Sequence, residues 1–334
     1  MRGKAGWTPA LAMGYRKSEA SVTISMRSTR YTWLGRLRWP LVLGLLLLVA
    51  SLPPRRVLTD AGKPAEVWAP LVERLAADGH DPGELRVVFG DSRAHHEPSA
   101  MATKLKALLR QRAKGPGASA EEPEVYRQYL SPLALAGARG YLDLHGESLE
   151  AAERAHGVSK EILVAILLIE SKLGLTLGDE SALVTLASMA ACGDFELVKP
   201  HIGWDGLGPE EQAWIAGRNA DKAAWAYREL DALLRYAKAA SRSPLDIPSS
   251  VWGAIGYPQF MPTNALAYGL DGDGDGKVDL FAIPDALHSL GNFLKRHGWR
   301  AGLSPERRHE VIYRYNHSNT YARTVLAIAE RLGE

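Results

Sequence analysis

A single cysteine, Cys192, is all the thiol that this chain of 334 residues carries, which excludes an internal disulfide framework and a multi-thiolate metal site. Charge of one sign is equally scarce. The 40 Lys plus Arg stand against 38 Asp plus Glu, a formal +2, so the chain as a whole lacks the strong positive field of a nucleic-acid binder. The longest apolar run, residues 39–52, falls short of the about 20 residues that span a bilayer comfortably. No period-two alternation persists and no internal repeat is evident, so β architecture has little support. Bulk disorder is excluded as well, because 46% of residues are hydrophobic and only 23% charged.

What is present begins with an address. Arg27, Arg30, Arg36 and Arg38 precede the apolar run, the pattern of a signal peptide, and Val49-Ala50-Ser51 offers small residues for cleavage. Met26 as the start would give an ordinary signal length. No cysteine follows the run, so lipid attachment is not supported. Residues 1–51 are therefore assigned to a signal peptide or N-terminal membrane anchor, with a cytoplasmic buried helix as the remaining alternative. Residues 52–334 are assigned to the folded part.

That part punctuates itself as helices and loops. Helical spacing of apolar residues predicts helices over 67–77, 101–113, two within 132–157, one over 162–170, and others over 221–240, 283–297 and 320–332. Residues 114–120 read as a loop. Segment 193–218, with Trp204, Trp214, His201 and several glycines, reads as a divergent wall. The fold class is mainly α.

Glu170 stands out in this helical background because it follows the unbroken apolar sequence Ile162 to Ile169. A carboxyl at an apolar wall is pushed towards its protonated form by desolvation, and a helix C-terminus pushes the same way. Such a group suits proton donation to a glycosidic oxygen; a solvent contact at the helix end or an ion pair with Lys172 is the plainer alternative. The loop Asp271-Gly272-Asp273-Gly274-Asp275-Gly276-Lys277-Val278-Asp279 resembles the first half of an EF-hand, where hard oxygen donors collect calcium. Ala282 sits where the closing Glu belongs, and Asp285 is the nearest carboxylate. A solvated Asp-Gly turn is the alternative. Gly253-Ala254-Ile255-Gly256-Tyr257-Pro258-Gln259-Phe260-Met261-Pro262 implies a compact turn feeding a helix, in which Gln259 can face a sugar. Tyr313-Arg314-Tyr315-Asn316-His317-Ser318-Asn319-Thr320-Tyr321 mixes aromatic and polar groups as a carbohydrate cleft does; either cluster also suits a packed turn. His201 and Cys192 read as structural residues.

In their order and spacing these motifs resemble the membrane-bound lytic transglycosylase B family, peptidoglycan-cleaving enzymes of glycoside hydrolase family 103, from about Val67 to Leu332. The resemblance implies a lysozyme-like helical domain over 52–334, including a helical N-terminal extension, with an EF-hand-like calcium loop. It implies Glu170 as the catalytic acid and then base. Tyr126, Ser250, Gln259, Tyr315, Asn316 and Tyr321 would bind substrate. Asp271, Asp273, Asp275, the Lys277 carbonyl and Asp285 would hold a structural Ca2+, with Asp279 supporting the loop. The implied product carries 1,6-anhydromuramic ends, formed without a second catalytic carboxylate. Peptidoglycan glycan strands are the implied partner, no nucleic acid is expected, and the location is periplasmic or cell-envelope by export, with inner-membrane association as the alternative in which the N-terminal segment is an uncleaved anchor.

Four departures from the family pattern are visible. Ser171 follows the Glu where Thr is usual, and Leu173 replaces an aromatic before Gly174. Pro258 replaces the glycine before Gln259. Only residues 300–308 separate Trp299 from the last helical region, where longer members carry an inserted domain, so the chain reads as a shortened form. A noncatalytic peptidoglycan-binding scaffold of the cell envelope is the alternative function.

Overall fold

Eight consecutive buried residues, Ile162 to Ile169, make one helix apolar on every side, and such a helix is stable only when other helices surround it. The computed structural model describes residues 66–113 and 123–333. The proposed signal or anchor at 1–51 and the loop at 114–120 lie outside the described residues.

Twelve α-helices are described: α1 Ala69–Ala77, α2 Pro82–Gly90, α3 Ser99–Ala113, α4 Pro132–Leu144, α5 Gly146–His156, α6 Lys160–Ser171, α7 Ala182–Ala191, α8 Pro209–Ala239, α9 Pro262–Tyr268, α10 Ile283–Arg296, α11 Pro305–Tyr315 and α12 Asn319–Leu332. The mainly α expectation is met. Helix α6 is the axis, packed by α12, α4, α5 and α10. Each fully buried Leu or Ile on it contributes about 1.5–3 kcal/mol of transfer free energy. A second apolar cluster gathers Met101, Leu105, Met189, Cys192, Val198, Ile202 and Ile215 under α3, α7 and α8. Cys192 is a core residue there, and burial pushes its thiol up to about 12, which leaves no thiolate for nucleophilic chemistry.

Several elements differ from the sequence expectation. Helix α8 begins at Pro209 rather than near residue 221, because Pro209 fits the first helical position and Glu211 reaches back to accept from the Gly208 N–H at 3.1 Å. Helices α2, α7 and α11 have no counterpart among the predicted elements. Helix α7 is apolar on most sides, with Ala182 to Met189 all buried, so it offers no one-faced pattern to read. Segment 193–218 forms three short 3-10 turns before α8.

The end of α6 decides where the site lies. Lys172 and Leu173 both take positive φ, 50° and 61°, and the Leu173 N–H returns to the Leu167 carbonyl at 3.0 Å, closing the last turn as a Schellman-type cap does. The chain then runs back along the turn 249–260. At Gly178 (φ 105°) an added Cβ would fall 1.9 Å from the Ser249 carbonyl oxygen, and at Gly174 (φ 92°) 2.1 Å from the Tyr257 ring. Only glycine permits both the dihedral and the approach. The two-residue strands Glu180–Ser181 and Pro248–Ser249 pair antiparallel just beyond, fixing the loop to the turn.

Candidate active site

Helix α6 delivers Glu170 at its C-terminal end, half-buried. Its partner is Tyr321 rather than Lys172: the Tyr321 hydroxyl donates to Glu170 Oε1 at 2.7 Å. Burial pushes the Glu170 carboxyl up to about 7, and the Tyr321 hydrogen bond opposes part of that rise. Near neutral pH the group therefore exists in both protonation states, the condition for an acid that must also act as a base.

Tyrosines wall this carboxyl. Tyr321 stands on the first turn of α12, which Ser318 caps by accepting from the Tyr321 N–H at 3.2 Å. Tyr315 stacks on Tyr321 with ring centroids 6.2 Å apart and planes at 16°. Its hydroxyl donates to the Pro258 carbonyl, tying the end of α11 to the turn that carries Gln259. Burial and the Glu170 charge hold both phenols well above their ordinary range, so they remain hydrogen-bond donors.

Tyr129, which the sequence motifs do not single out beside Tyr126, belongs to the same group. Its hydroxyl meets the Ile169 carbonyl at 3.4 Å, and burial followed by the Glu170 charge raises its pKa. Tyr126 lies beyond it, edge-on to Tyr129 with centroids 6.5 Å apart. Tyr126 caps the short 3-10 turn Arg127–Leu130, and Tyr129 within that turn packs against the end of α6.

The turn 249–260 places the remaining candidates. Gln259 takes a positive φ of 49°, and its Nε2 donates to the carbonyls of Gly256 at 3.0 Å and Leu177 at 3.3 Å. It bridges the turn to the loop after Glu170. Its Oε1 is the atom these bonds leave for another group. Pro258 is therefore accommodated without breaking the turn. Ser250 Oγ accepts from the Ala254 and Trp252 N–H groups at 3.1 and 3.3 Å, so it organises the turn. Asn316 follows Tyr315 directly as the half-buried, extended cap of α11.

The acidic loop lies apart from this tyrosine wall, between α9 and α10. Single carboxylate oxygens of Asp271, Asp273 and Asp285 all lie within 4.8 Å of one another. Asp285, 1% exposed, accepts from the Gly272 N–H at 2.7 Å and the Asp279 N–H at 2.6 Å, closing the loop from the first turn of α10. Asp275 accepts from the Lys277 N–H at 2.8 Å; neither residue belongs to the group of three. Asp279 instead pairs through both oxygens with Arg242, at 3.0 and 2.6 Å. Three hard oxygen donors converging on one point fit a hard cation of calcium type.

A family model described as "Transglycosylase SLT domain" matches residues 64–308. Membrane-bound lytic murein transglycosylase B of Escherichia coli (strain K12) is 27% identical over 176 residues, covering 53% of this chain and 42% of that protein. The match thus spans less than half the length of that curated relative. Among solved structures, the Escherichia coli lytic transglycosylase Slt35 in complex with calcium aligns over 81% of this chain and 95% of its own, with a TM-score of 0.59 and 18% identity. Pseudomonas aeruginosa SltB3 in complex with NAG-anhNAM-pentapeptide aligns over 80% and 79%, with a TM-score of 0.59 and 21% identity. At these identities the structures establish the shared fold.

Proposed function

The chain belongs to the transglycosylase SLT domain family, and on that premise we propose that it is a peptidoglycan lytic transglycosylase. It cleaves the β-1,4 bond between N-acetylmuramic acid and N-acetylglucosamine and leaves 1,6-anhydromuramic ends. The observation that carries this reading is Glu170: a half-buried carboxyl whose pKa burial raises to about 7, held by one tyrosine. Protonated Glu170 gives its proton to the glycosidic oxygen as the C1–O4 bond breaks. The resulting carboxylate takes the proton from the C6 hydroxyl, whose oxygen closes on C1. One bond breaks, one forms, and the carboxyl returns to its starting state. Burial and Tyr321, not a second carboxylate, are the influences that set the Glu170 pKa, in keeping with a substrate that brings its own nucleophile rather than a paired-acid mechanism.

Tyr126, Gln259, Tyr315, Asn316 and Tyr321 line the sugar path in this reading, with Ser250 shaping the turn, and the relative's complex favours strands that carry peptide stems. Asp271, Asp273 and Asp285, with Asp275 and the Lys277 carbonyl, would hold one Ca2+ that locks the EF-hand-like loop onto α10. Residues 300–304 alone connect Trp299 to α11, in keeping with a shortened form. Exported, cell-envelope placement accords with a peptidoglycan substrate. Among the described residues no helix is long and apolar enough to cross a membrane.

The test is mass spectrometry of the products released from intact peptidoglycan by the chain with calcium. Anhydromuramic ends are expected; reducing muramic ends would make the protein a hydrolase, and binding without cleavage would make it a scaffold. Tyr321→Phe supplies a second check. Losing the hydrogen bond to Glu170 is expected to lower kcat roughly tenfold. Because that bond pulls the carboxyl pKa down, its loss shifts the alkaline limb of the pH profile upward. An unshifted profile would remove Tyr321 from the proton-transfer step.

A further inference from the structure

Cations on the seam between α3 and α8 fall into two kinds. Arg112 and Arg218 both lie over Trp214, at 4.8 and 5.5 Å from the ring centroid, and both have acids: Arg112 pairs with Glu210 and Arg218 with Asp221. Further along α8 the pattern changes. Lys104 of α3 sits 4.3 Å from the Trp252 ring centroid and 5.5 Å from that of Trp225. Lys222 sits 5.8 Å from Trp225. Among the described residues neither lysine has an ion-pair partner, and the nearby Asp221 is held by Arg218 at 3.1 Å. Burial and the neighbouring Lys222 charge push the Lys104 ammonium down to about 8.

Two like charges gathered on aromatic faces without an acid are costly unless an anion docks there. Cation–π contact offsets part of the cost at the ring faces, while the remaining N–H donors keep their capacity for a carboxylate. Trp252 belongs to the same turn as Ser250 and Gln259, so the turn that carries Gln259 also meets Lys104. The N-acetyl sugars themselves are neutral. Carboxylates reach such a cleft from two sources: the peptide stem, or the lactyl group of a muramic acid that carries no stem.

We propose that Lys104 and Lys222, seated on Trp225 and Trp252, form a carboxylate-binding subsite that takes the peptide stem of the glycan. This rests on the peptidoglycan reading above. The stem is favoured over the lactyl group because the lysines stand on α3 and α8 rather than on the loop and turn that carry Glu170 and Gln259, and a peptide stem reaches further from the glycan than a lactyl carboxylate does. The subsite selects stem-bearing strands and takes no part in bond cleavage.

The experiment uses the full chain carrying Glu170→Gln to stop turnover, titrated calorimetrically with GlcNAc-MurNAc-pentapeptide and with the same disaccharide lacking peptide. The pentapeptide ligand is expected to bind more tightly. Adding Lys104→Gln and Lys222→Gln is expected to reduce that preference roughly tenfold, while Lys104→Arg preserves it. Near-ultraviolet circular dichroism monitors folding, and Lys222→Gln alone decides the matter if the double variant unfolds. An unchanged preference overturns the subsite, since lysines that merely shelter tryptophan do not discriminate between the ligands. Dependence confined to the peptide-free disaccharide would assign the carboxylate to the lactyl group and also overturns it. Binding of neither ligand by the parent chain overturns the peptidoglycan reading and this inference with it.

Discussion

Glu170→Gln is expected to lower kcat/KM on peptidoglycan by about 10³-fold or more, since one group supplies both general acid and general base, while the protein stays folded. Gln keeps the shape of the side chain and can accept from Tyr321 through its amide oxygen, so the tyrosine wall stands. The stability profile separates this from simple damage. The carboxyl titrates near 4.5 when free and about 7 in the fold, so the folded state binds the proton more tightly. Its favourable contribution is complete below about pH 4.5 and disappears as pH rises through about 7. The difference corresponds to roughly 3 kcal/mol at most, reduced by whatever solvent reaches the half-buried side chain. The substituted amide cannot ionise, so thermal melts should show the variant gaining on the parent protein as pH rises from about 4.5 to about 8. In the parent enzyme, activity should decline above about pH 7 as the proton donor is lost. A variant that folds and still releases anhydromuramic products would remove Glu170 from the chemistry.

Asp285→Ala is expected to produce the largest loss of stability among single changes around the acidic loop. The substitution strips two backbone donors, Gly272 and Asp279, of a buried acceptor. Each unsatisfied N–H costs about 1–3 kcal/mol, and together they should lower Tm by roughly 5–15 °C. Calcium should raise the Tm of the parent protein by mass action and a chelator should lower it. In Asp285→Ala that calcium increment should vanish. Asp279→Asn is the informative control: it weakens the pair with Arg242 and should lower Tm while keeping the calcium increment. Differential scanning calorimetry with calcium and with chelator reads both. A parent Tm indifferent to calcium would leave the loop as a latch made of backbone hydrogen bonds.

Local sequence was sufficient wherever local physics decides. The apolar stretch ending at Glu170 could only be an enclosed helix, and its terminal carboxylate had to meet the edge of that enclosure. Repeated Asp-Gly steps at 271–276 announced an oxygen-rich turn, and the helices 283–296 and 319–332 carried one-faced patterns that place their boundaries within a few residues. Helix α7, as fully buried as α6, was not legible because no distinctive residue ends it, and α11, with few apolar residues, lacked a one-faced pattern.

What the sequence by itself determined is the mainly α fold, the place of Glu170 at the end of its helix, and the oxygen-rich turn at 271–276, because each follows from periodicity or composition within a few turns. Only the tertiary structure decided that Tyr321, 151 residues further on, is the group that holds Glu170, that Tyr129 packs against the end of the same helix, and that Asp285 closes the loop while Asp279 turns to Arg242. It alone brought Lys104, Lys222, Trp225 and Trp252 together. Desolvation, hydrogen bonding and charge act through space, and the packing of α12, α11 and α3 onto distant helices is set by the whole core rather than by any segment's own pattern.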